Sequence, residues 1–329
     1  MAATRRAVVL FQLGGPDTLD AVEPFLYNLF CDPDIIDLPF ASLFREPLAR
    51  FIARKRAPIA SKLYASIGGG SPIRRQTQMQ ADALREMLGA KGHAMPVEIA
   101  MRYWHPRAEE VITKLLASGI EEVVLLPLYP QYSKATTGSS MREWNELVAR
   151  LHAEKLRTTL IESYYEHPLY IRALVERIRE ALECVPAGDR EKVHLLFSVH
   201  GTPMKLVRNG DPYSQHIRRS YERVVEEGNF GLPHHLCFQS KVGPQQWLKP
   251  SLVDAVERLA EEKVSHVIVI PIAFVTDHIE TLSEISIEAK DEATKLGIGY
   301  FAMTAPLLTG DLFIGCLCDL VMNASKASE

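Results

Sequence analysis

Short runs of apolar, β-branched residues alternate along the chain with longer stretches in which apolar residues recur every three or four positions. The first pattern predicts strands and the second predicts amphipathic helices. Because strands that alternate with helices build parallel sheets, we expect an α/β protein. The predicted strands are residues 7–13, 97–101, 122–128, 194–199, 235–238 and 264–274. The predicted helices are residues 71–88, 108–117, 170–184, 213–227, 250–262 and 312–322.

A faint internal repeat relates the two halves of the chain. The segment AVVLFQLGGP resembles HLLFSVHGTP, EIAMRYWHP resembles LCFQSKVGP, and EVVLLP resembles VIVIPI. Such a repeat predicts two similar α/β lobes, with a cleft where they meet. The first lobe is longer, since 90 residues separate Pro16 from Pro106 whereas 41 separate Pro203 from Pro244. The first lobe therefore carries an insertion of 49 residues.

The insertion falls near residues 17–70 and changes character along its length. Its first part is apolar without a clean strand or helix period. An apolar segment beside a cationic one can rest on an anionic membrane or cover a flat apolar ligand with acidic groups. A helical hairpin that completes the core of the first lobe explains the same composition, and the sequence leaves both interpretations open. The basic residues of the later part are Arg45, Arg50, Arg54, Lys55, Arg56 and Lys62.

Composition and charge exclude several classes of protein. Of the 329 residues, 47% are apolar and 24% are charged, which excludes a disordered chain. The formal net charge of -4 gives no global attraction to nucleic acid, so we expect no nucleic-acid partner. The longest uncharged stretch, residues 264–276, is shorter than the roughly 20 apolar residues of a membrane-spanning helix.

The five cysteines are scattered, and the first residues lack the cleavage site of a signal peptide. We therefore expect reduced thiols in a cytoplasmic protein. Only Cys316 and Cys318 are closely spaced, and two ligands fall short of the four that a structural metal or a cluster normally needs.

Candidate catalytic residues follow two of the predicted strands. In a parallel sheet, ligands bind beyond the carboxyl ends of the strands. His200 ends one strand, although a lone histidine there is more often a turn residue with a satisfied hydrogen bond. After the other strand, a helix would place Glu280, Glu284 and Glu288 on one face, where a solvated surface is the alternative to a cation site. His278 and His200 shift the balance toward a hard or borderline divalent ion.

Flat side chains follow other predicted strands. Arg102, Tyr103, Tyr129 and Trp247 lie in three such clusters. Aromatic rings beside a cleft suggest a planar ligand, although interface packing is the commoner explanation of each cluster taken alone. The glycine run at 68–70 has neither the lysine nor the spacing of a phosphate loop, and we interpret it as a turn.

Together these segments resemble the ferrochelatase family, whose members insert Fe(II) into a porphyrin. The match runs from Val8 to about Pro306 and includes LGGP, IGGGSP, RYWHP, YPQYS, TTGSS, SVHGTP, QSKVGP and IAFVTDHIETL. The resemblance implies two Rossmann-like lobes with parallel sheets flanked by helices, an active-site cleft between them, and an apolar lip formed by the insertion. The expected domains are residues 1–165 with the lip at 17–70, residues 166–305 with the catalytic pair, and a C-terminal helix and tail at 306–329.

The resemblance also assigns roles to individual residues. It implies that His200 and Glu280 are the catalytic pair, and that these two residues and Glu284 bind the metal. It also implies that Glu284 and Glu288 continue a path for metal or protons. A neutral imidazole can accept the pyrrole protons, and a glutamate can hold or relay the ion. The residues that it places against the porphyrin are Leu13, Arg102, Tyr103, Tyr129, Trp247, Phe274 and His278.

The chain departs from the family pattern at three points. Members with an iron-sulfur cluster have a cysteine directly after YPQYS, where this chain has Lys134, so we expect no cluster and no cofactor beyond substrate Fe(II). Many relatives have a basic residue before IGGGSP, where this chain has Ala65 and Ser66, which weakens the case for propionate contacts there. Leu13 occupies a position that is methionine in some relatives.

The expected function is that of an enzyme, a lyase that inserts Fe(II) into protoporphyrin IX to form protohaem in haem biosynthesis. The alternatives are a coproporphyrin III ferrochelatase, a sirohydrochlorin chelatase, and a porphyrin- or haem-binding protein without catalysis. The resemblance further implies a monomer or weak homodimer, in the cytoplasm, with peripheral contact between the lip and the inner membrane.

Overall fold

A computed structural model describes residues 5–33, 35, 41–240 and 246–326 of the chain. It divides into two compact units, Met1–Ser163 together with Ile314–Glu329, and Tyr164–Phe313. The sequence-based domain bounds, 1–165, 166–305 and 306–329, stay a prediction.

The sheet of the first unit has four parallel strands in the order β2-β1-β3-β4. β1 (Arg6–Gln12) is central, between β2 (Val97–Met101) and β3 (Glu122–Pro127), and β4 (Arg157–Leu160) forms an edge. All but the first residue of β1 are buried, as expected for a strand covered on both faces.

The second unit repeats this order as β6-β5-β7-β8, again with all strands parallel. Its central strand β5 (Val193–His200) lies between β6 (His234–Gln239) and β7 (His266–Pro271), and β8 (Tyr300–Met303) is the edge strand. The expectation of two similar parallel α/β lobes is therefore confirmed, and the strands that match in sequence occupy equivalent places in the two sheets.

Helices connect successive strands within each sheet, and their ends follow local sequence rules. At the start of one helix, the Ser251 hydroxyl accepts from the Asp254 amide at 3.1 Å while the Asp254 carboxylate accepts from the Ser251 amide at 3.1 Å. The core of the first unit includes the rings of Phe11 and Trp144, 5.7 Å apart. The helices are α1 (Val22–Cys31), α2 (Ala41–Ser66), α3 (Ile73–Ala90), α4 (Ala108–Ala117), α5 (Ser139–Arg150), α6 (Pro168–Glu183), α7 (Met204–Arg208), α8 (Tyr213–Gly228), α9 (Leu252–Glu261), α10 (Lys290–Lys295) and α11 (Asp311–Lys326).

The insertion contains helices α1 and α2; residues 34 and 36–40 of the predicted lip lie outside the described residues. The two helices pack through a small core around Phe30, Ala49 and Ala53. Other side chains of α2 are exposed, and they include apolar ones among the charged residues, with Phe44 67% and Ile59 66% accessible. The structure therefore shows helical packing together with exposed apolar side chains. Contact of the insertion with a membrane or with a flat ligand stays a prediction.

Several elements were not found from the hydrophobic pattern. β4 reads RTTL and β8 reads YFAM, and strands of four residues are too short to show a period. The strand predicted at 264–274 is shorter, since β7 ends at Pro271. No helix in the described ranges combines the length and the mean hydropathy that crossing a membrane requires.

We expect the second unit to lose stability as the pH falls below about 6.5, in part because of two histidines on β5 and β6. His194 Nδ1 lies 3.0 Å from His235 Nε2, and burial lowers the pKa of both imidazoles. Because the folded state then binds a proton less readily than the unfolded state, their contribution is complete above the unfolded pKa and is lost as the pH falls. Urea unfolding at pH 7.5 and pH 5.5 measures the effect.

The double variant His194→Val/His235→Val should show a smaller loss of unfolding free energy between these two pH values. Replacing His93, which is exposed in a loop, with Gln is the matched control and should leave the pH dependence unchanged. An unchanged slope in the double variant would contradict the assignment.

Candidate active site

The residues predicted to carry the chemistry meet at the carboxyl end of the second sheet. His200 is the last residue of β5, and Glu280 lies nine residues beyond the end of β7, the strand beside it. His200 Nδ1 and Glu280 Oε2 are 2.9 Å apart and form a hydrogen bond. Because adjacent parallel strands end at one edge of the sheet, residues 80 positions apart in the chain become neighbours.

A close backbone approach follows directly after His200. The Gly201 amide donates to the Gln239 carbonyl at 2.7 Å. A Cβ atom at position 201 would lie 2.7 Å from that carbonyl oxygen and 3.2 Å from a ring carbon of Trp247. Glycine at this position therefore lets the chain turn against β6 and brings Trp247 beside the end of β5.

The His200–Glu280 pair favours the ionised form of both groups. Burial by itself would lower the pKa of His200, but the charge and the hydrogen bond of Glu280 outweigh it and raise that pKa. The His200 side chain is 40% exposed. Burial would raise the pKa of Glu280, and the neighbouring His200 lowers it instead. The arrangement stabilises a proton on the imidazole, which is what a proton acceptor requires.

The carboxylates predicted on one helix face lie on a π-helix rather than an α-helix. It covers Glu280–Ala289 and continues into α10. Glu284 Oε2 accepts a hydrogen bond from Ser240 Oγ at 2.7 Å, and Glu288 Oε1 accepts one from Ser283 Oγ at 3.0 Å. The wider turn of a π-helix changes which side chains meet, and such turns are frequent at functional sites.

The electrostatics differ along this row. Burial, followed by the negative charge of Glu280, raises the pKa of Glu284 well above that of an ordinary glutamate. Glu280 therefore stays ionised beside His200, while Glu284 binds a proton more readily. Two carboxylates with separated pKa values can divide the tasks of holding charge and exchanging protons.

His278 lies inside the same site. Its side chain is 9% exposed, and neither ring nitrogen has a hydrogen-bond partner among the described residues. Its Nε2 lies 3.8 Å from Glu280 Oε2, and its ring centroid is 4.3 Å from that of Phe274. Burial lowers the pKa of His278, so this imidazole is neutral beside the charged pair.

The arrangement is not that of a closed metal site. Within residues 5–33, 35, 41–240 and 246–326, no group of three or more His, Cys, Asp or Glu side chains is placed to hold a metal ion. His200 and Glu280 are hydrogen-bonded to each other, and Glu284 is bonded to Ser240. The assignment of His200, Glu280 and Glu284 as metal ligands stays a prediction.

The remaining predicted residues lie in the first unit, where a buried ion network surrounds Asp32. Its carboxylate is fully buried and accepts from Arg102 at 2.7 Å, Tyr103 at 2.7 Å, Ser139 at 2.5 Å and Arg142 at 2.9 Å. Tyr103 has no exposed surface, and Arg102 is 12% exposed. These two side chains are thus held by the protein itself, and their contact with a porphyrin stays a prediction.

Leu13 and Tyr129, predicted to line the pocket, lie just after β1 and β3, and both are half-buried. Burial raises the pKa of the Tyr129 hydroxyl. Sequence reasoning missed Asp32, because nothing in the irregular lip sequence distinguishes it. It also missed the role of Gln239 and Ser240, although the motif QSKVGP pointed to that strand end.

Comparison with solved structures places the fold among the chelatases. SirB from Bacillus subtilis with Fe3+ aligns with a TM-score of 0.56 at 12% identity, over 99% of this chain and 97% of that one. CbiX, the terminal enzyme for siroheme biosynthesis in denitrifying bacteria, aligns with a TM-score of 0.54 at 13% identity, over 98% and 99% of the two chains. At such identities the likeness shows the fold, two parallel α/β lobes of the chelatase type.

Sequence comparison narrows this class to one family. The ferrochelatase family model matches residues 5–325. The ferrochelatase of Trichodesmium erythraeum is 44% identical over 326 residues, which cover 98% of this chain and 84% of that protein. The ferrochelatase of Aquifex aeolicus is 43% identical over 320 residues, covering 97% and 99%. The chain belongs to the ferrochelatase family of metal chelatases.

Removing the carboxylate of Glu280 should lower the pKa of His200, because that carboxylate supplies the charge and the hydrogen bond that raise it. Titration of the His200 ring by NMR in wild type and Glu280→Gln measures the change. Glu288→Gln, further along the π-helix, is the control and should leave the titration unchanged. A His200 titration that is the same in Glu280→Gln and wild type would refute this account.

Asp32→Ala should destabilise the first unit by about 3–5 kcal/mol, because it leaves the Arg102 and Arg142 charges without their buried partner. Chemical denaturation measures the unfolding free energy. Asp82→Ala breaks an exposed pair with Arg85 and should cost less than about 1 kcal/mol. Equal losses in the two variants would show that the buried network contributes no more than a surface pair.

Proposed function

We propose that the chain inserts Fe(II) into protoporphyrin IX and releases protohaem. The observation that carries this proposal is the His200–Glu280 pair, in a chain that matches the ferrochelatase family from residue 5 to residue 325. The porphyrin and the ferrous ion are the two substrates, and haem biosynthesis is the process that the reaction serves.

The reaction exchanges two protons for one metal ion. The two pyrrole N–H groups of the porphyrin lose their protons, and the ferrous ion exchanges bound water for the four ring nitrogens. His200 accepts a proton from a pyrrole, and the Glu280 carboxylate stabilises the imidazolium that forms. The neutral ring of His278 lies beside the pair without adding a competing positive charge.

Glu280, Glu284 and Glu288 form a path along the π-helix for the metal ion or the released protons. Carboxylate oxygens suit a hard or borderline divalent cation. The raised pKa of Glu284 supports proton exchange near neutral pH, and its bond to Ser240 holds the carboxylate at the end of β6. No iron-sulfur cluster takes part in this proposal, since Lys134 occupies the position of the cluster cysteine.

The apolar surface of α2 supports the choice of protoporphyrin IX. Phe44, Phe51 and Ile59 are 67%, 60% and 66% exposed. A mostly apolar macrocycle with two propionates suits such a lip better than coproporphyrin III, whose four carboxylates need more cations. The arginines and lysines of α2 add positive charge beside these side chains, so the lip also supports peripheral contact with an anionic inner membrane from the cytoplasmic side.

The test is an anaerobic assay with Fe(II) that follows the loss of free-porphyrin fluorescence, with protoporphyrin IX and coproporphyrin III in parallel. We expect faster loss with protoporphyrin IX. Glu280→Gln should lower turnover about 100-fold or more while porphyrin binding persists, because the imidazolium loses its carboxylate. Glu292→Gln on α10, where the glutamate side chain is 41% exposed, is the matched control and should keep full turnover.

The outcomes separate the alternatives. Faster loss with coproporphyrin III would keep the mechanism and change the substrate. Binding of both porphyrins without turnover would replace the enzyme by a porphyrin- or haem-binding protein, and turnover with Co(II) and sirohydrochlorin alone would make it a sirohydrochlorin chelatase.

A further inference from the structure

We infer that Gln239 is a positioning residue that sets the separation between His200 and Glu280. The inference rests on the proposed function, in which that pair carries the proton transfer. Gln239 is the last residue of β6 and is 3% exposed. Its hydrogen bonds reach the backbone beside His200 and the backbone of Glu280.

The backbone of Gln239 holds the His200 side of the site. Gln239 and His200 are partners in the register between β6 and β5. The Gln239 carbonyl accepts from the Gly201 amide at 2.7 Å, directly after the histidine. This bond extends the β5–β6 pairing one residue past His200, so the imidazole stands on a backbone that is held on both sides.

The side chain of Gln239 reaches toward the Glu280 side. Its Oε1 accepts from Ser198 Oγ at 2.6 Å, and the serine hydroxyl is the donor in this bond. That contact fixes which end of the amide faces β5, and it turns Nε2 toward the π-helix. Nε2 donates to the Glu280 carbonyl at 3.4 Å. One buried amide therefore links β5, β6 and the first residue of the π-helix.

A buried amide is costly unless both of its ends are bonded, so the two contacts support each other. Gln239 binds the backbone carbonyl of Glu280, so it holds the residue that carries the reacting carboxylate. A shift of that backbone would change the 2.9 Å contact between His200 Nδ1 and Glu280 Oε2. Misplacement of reacting groups by about 1 Å can cost on the order of 100-fold in rate.

The next residue shows that this strand end is tightly held. Ser240 has φ of +63°, a left-handed conformation that a serine adopts at a cost. Its hydroxyl donates to Glu284 at 2.7 Å. Two consecutive residues at the end of β6 thus bind two glutamates of the π-helix. Gln239 binds the backbone carbonyl of Glu280, and Ser240 binds the carboxylate of Glu284.

The test is Gln239→Leu, which keeps the bulk of the side chain and removes both amide bonds. We expect kcat to fall about 10- to 100-fold with the KM for porphyrin changed less than about twofold, because the porphyrin contacts remain. A crystal structure of the variant should show the His200–Glu280 distance longer than 2.9 Å, and the 15N shift of His200 Nδ1 should move toward that of Glu280→Gln.

Two further variants separate positioning from general stability. Gln80→Leu replaces an equally buried glutamine in α3 and should leave kcat unchanged at a similar loss of Tm. Ser198→Ala removes only the hydroxyl that orients the amide, so it should shift the Nδ1 signal in the same direction by a smaller amount. If Gln239→Leu fails to fold, Ser198→Ala carries the test alone.

An active wild type whose Gln239→Leu and Ser198→Ala variants keep both kcat and the Nδ1 shift would overturn the inference and leave the proposed function intact. A wild type without chelatase activity would overturn the proposed function. The distance between His200 Nδ1 and Glu280 Oε2 and the 15N shift of His200 Nδ1 would then still show whether Gln239 sets the separation of the pair. Neither measurement needs turnover.

Discussion

The hydrogen bond between His200 Nδ1 and Glu280 Oε2 depends on the parallel pairing of β5 and β7. That pairing brings a strand end and the start of a helix together at one sheet edge, where the chain leaves the ladder and backbone groups need other partners. There the Gly201 amide donates to the Gln239 carbonyl, and the Gln239 side chain donates to the Glu280 carbonyl. The Ser240 hydroxyl donates to the Glu284 carboxylate beside them. The short distance between the two side chains also explains their pKa shifts. The charge and hydrogen bond of Glu280 raise the pKa of His200, and those of His200 lower the pKa of Glu280.

The two units share one sheet topology but carry different polar groups at the carboxyl edge of the sheet. Each has a central strand flanked by the next two strands, and each continues from its third strand into a π-helical segment, Lys134–Gly138 in the first and Glu280–Ala289 in the second. In the first unit, Arg102 and Tyr103 at this edge donate to the buried Asp32 carboxylate. In the second unit the polar groups at this edge include a half-exposed imidazole and an unpartnered neutral one, His278, among the described residues.

The insertion shows how one helix can serve both stability and contact. Ala49 and Ala53 pack α2 against α1, whereas Phe51 and Ile59 stay exposed on the same helix. Burying those side chains inside the unit would stabilise it, so their exposure suits a face that meets a ligand or a lipid surface. The cations between them add an attraction for acidic groups, which supports the proposed roles of the lip.

Much of the fold followed from the sequence by itself, because buried parallel strands are continuous apolar runs and their helices carry a clear period. The same pattern, with His200 at a strand end and a row of glutamates after another, indicated the catalytic pair, and the ordered motifs indicated the family. The tertiary structure alone decided the rest. The π-helical turn of Glu280–Ala289 was not evident from the sequence pattern. Hydrogen bonds among distant residues make Asp32 the centre of an ion network and join Gln239 to both sides of the pair. A linear sequence carries no period for these long-range contacts, since their partners lie 41 to 110 residues apart.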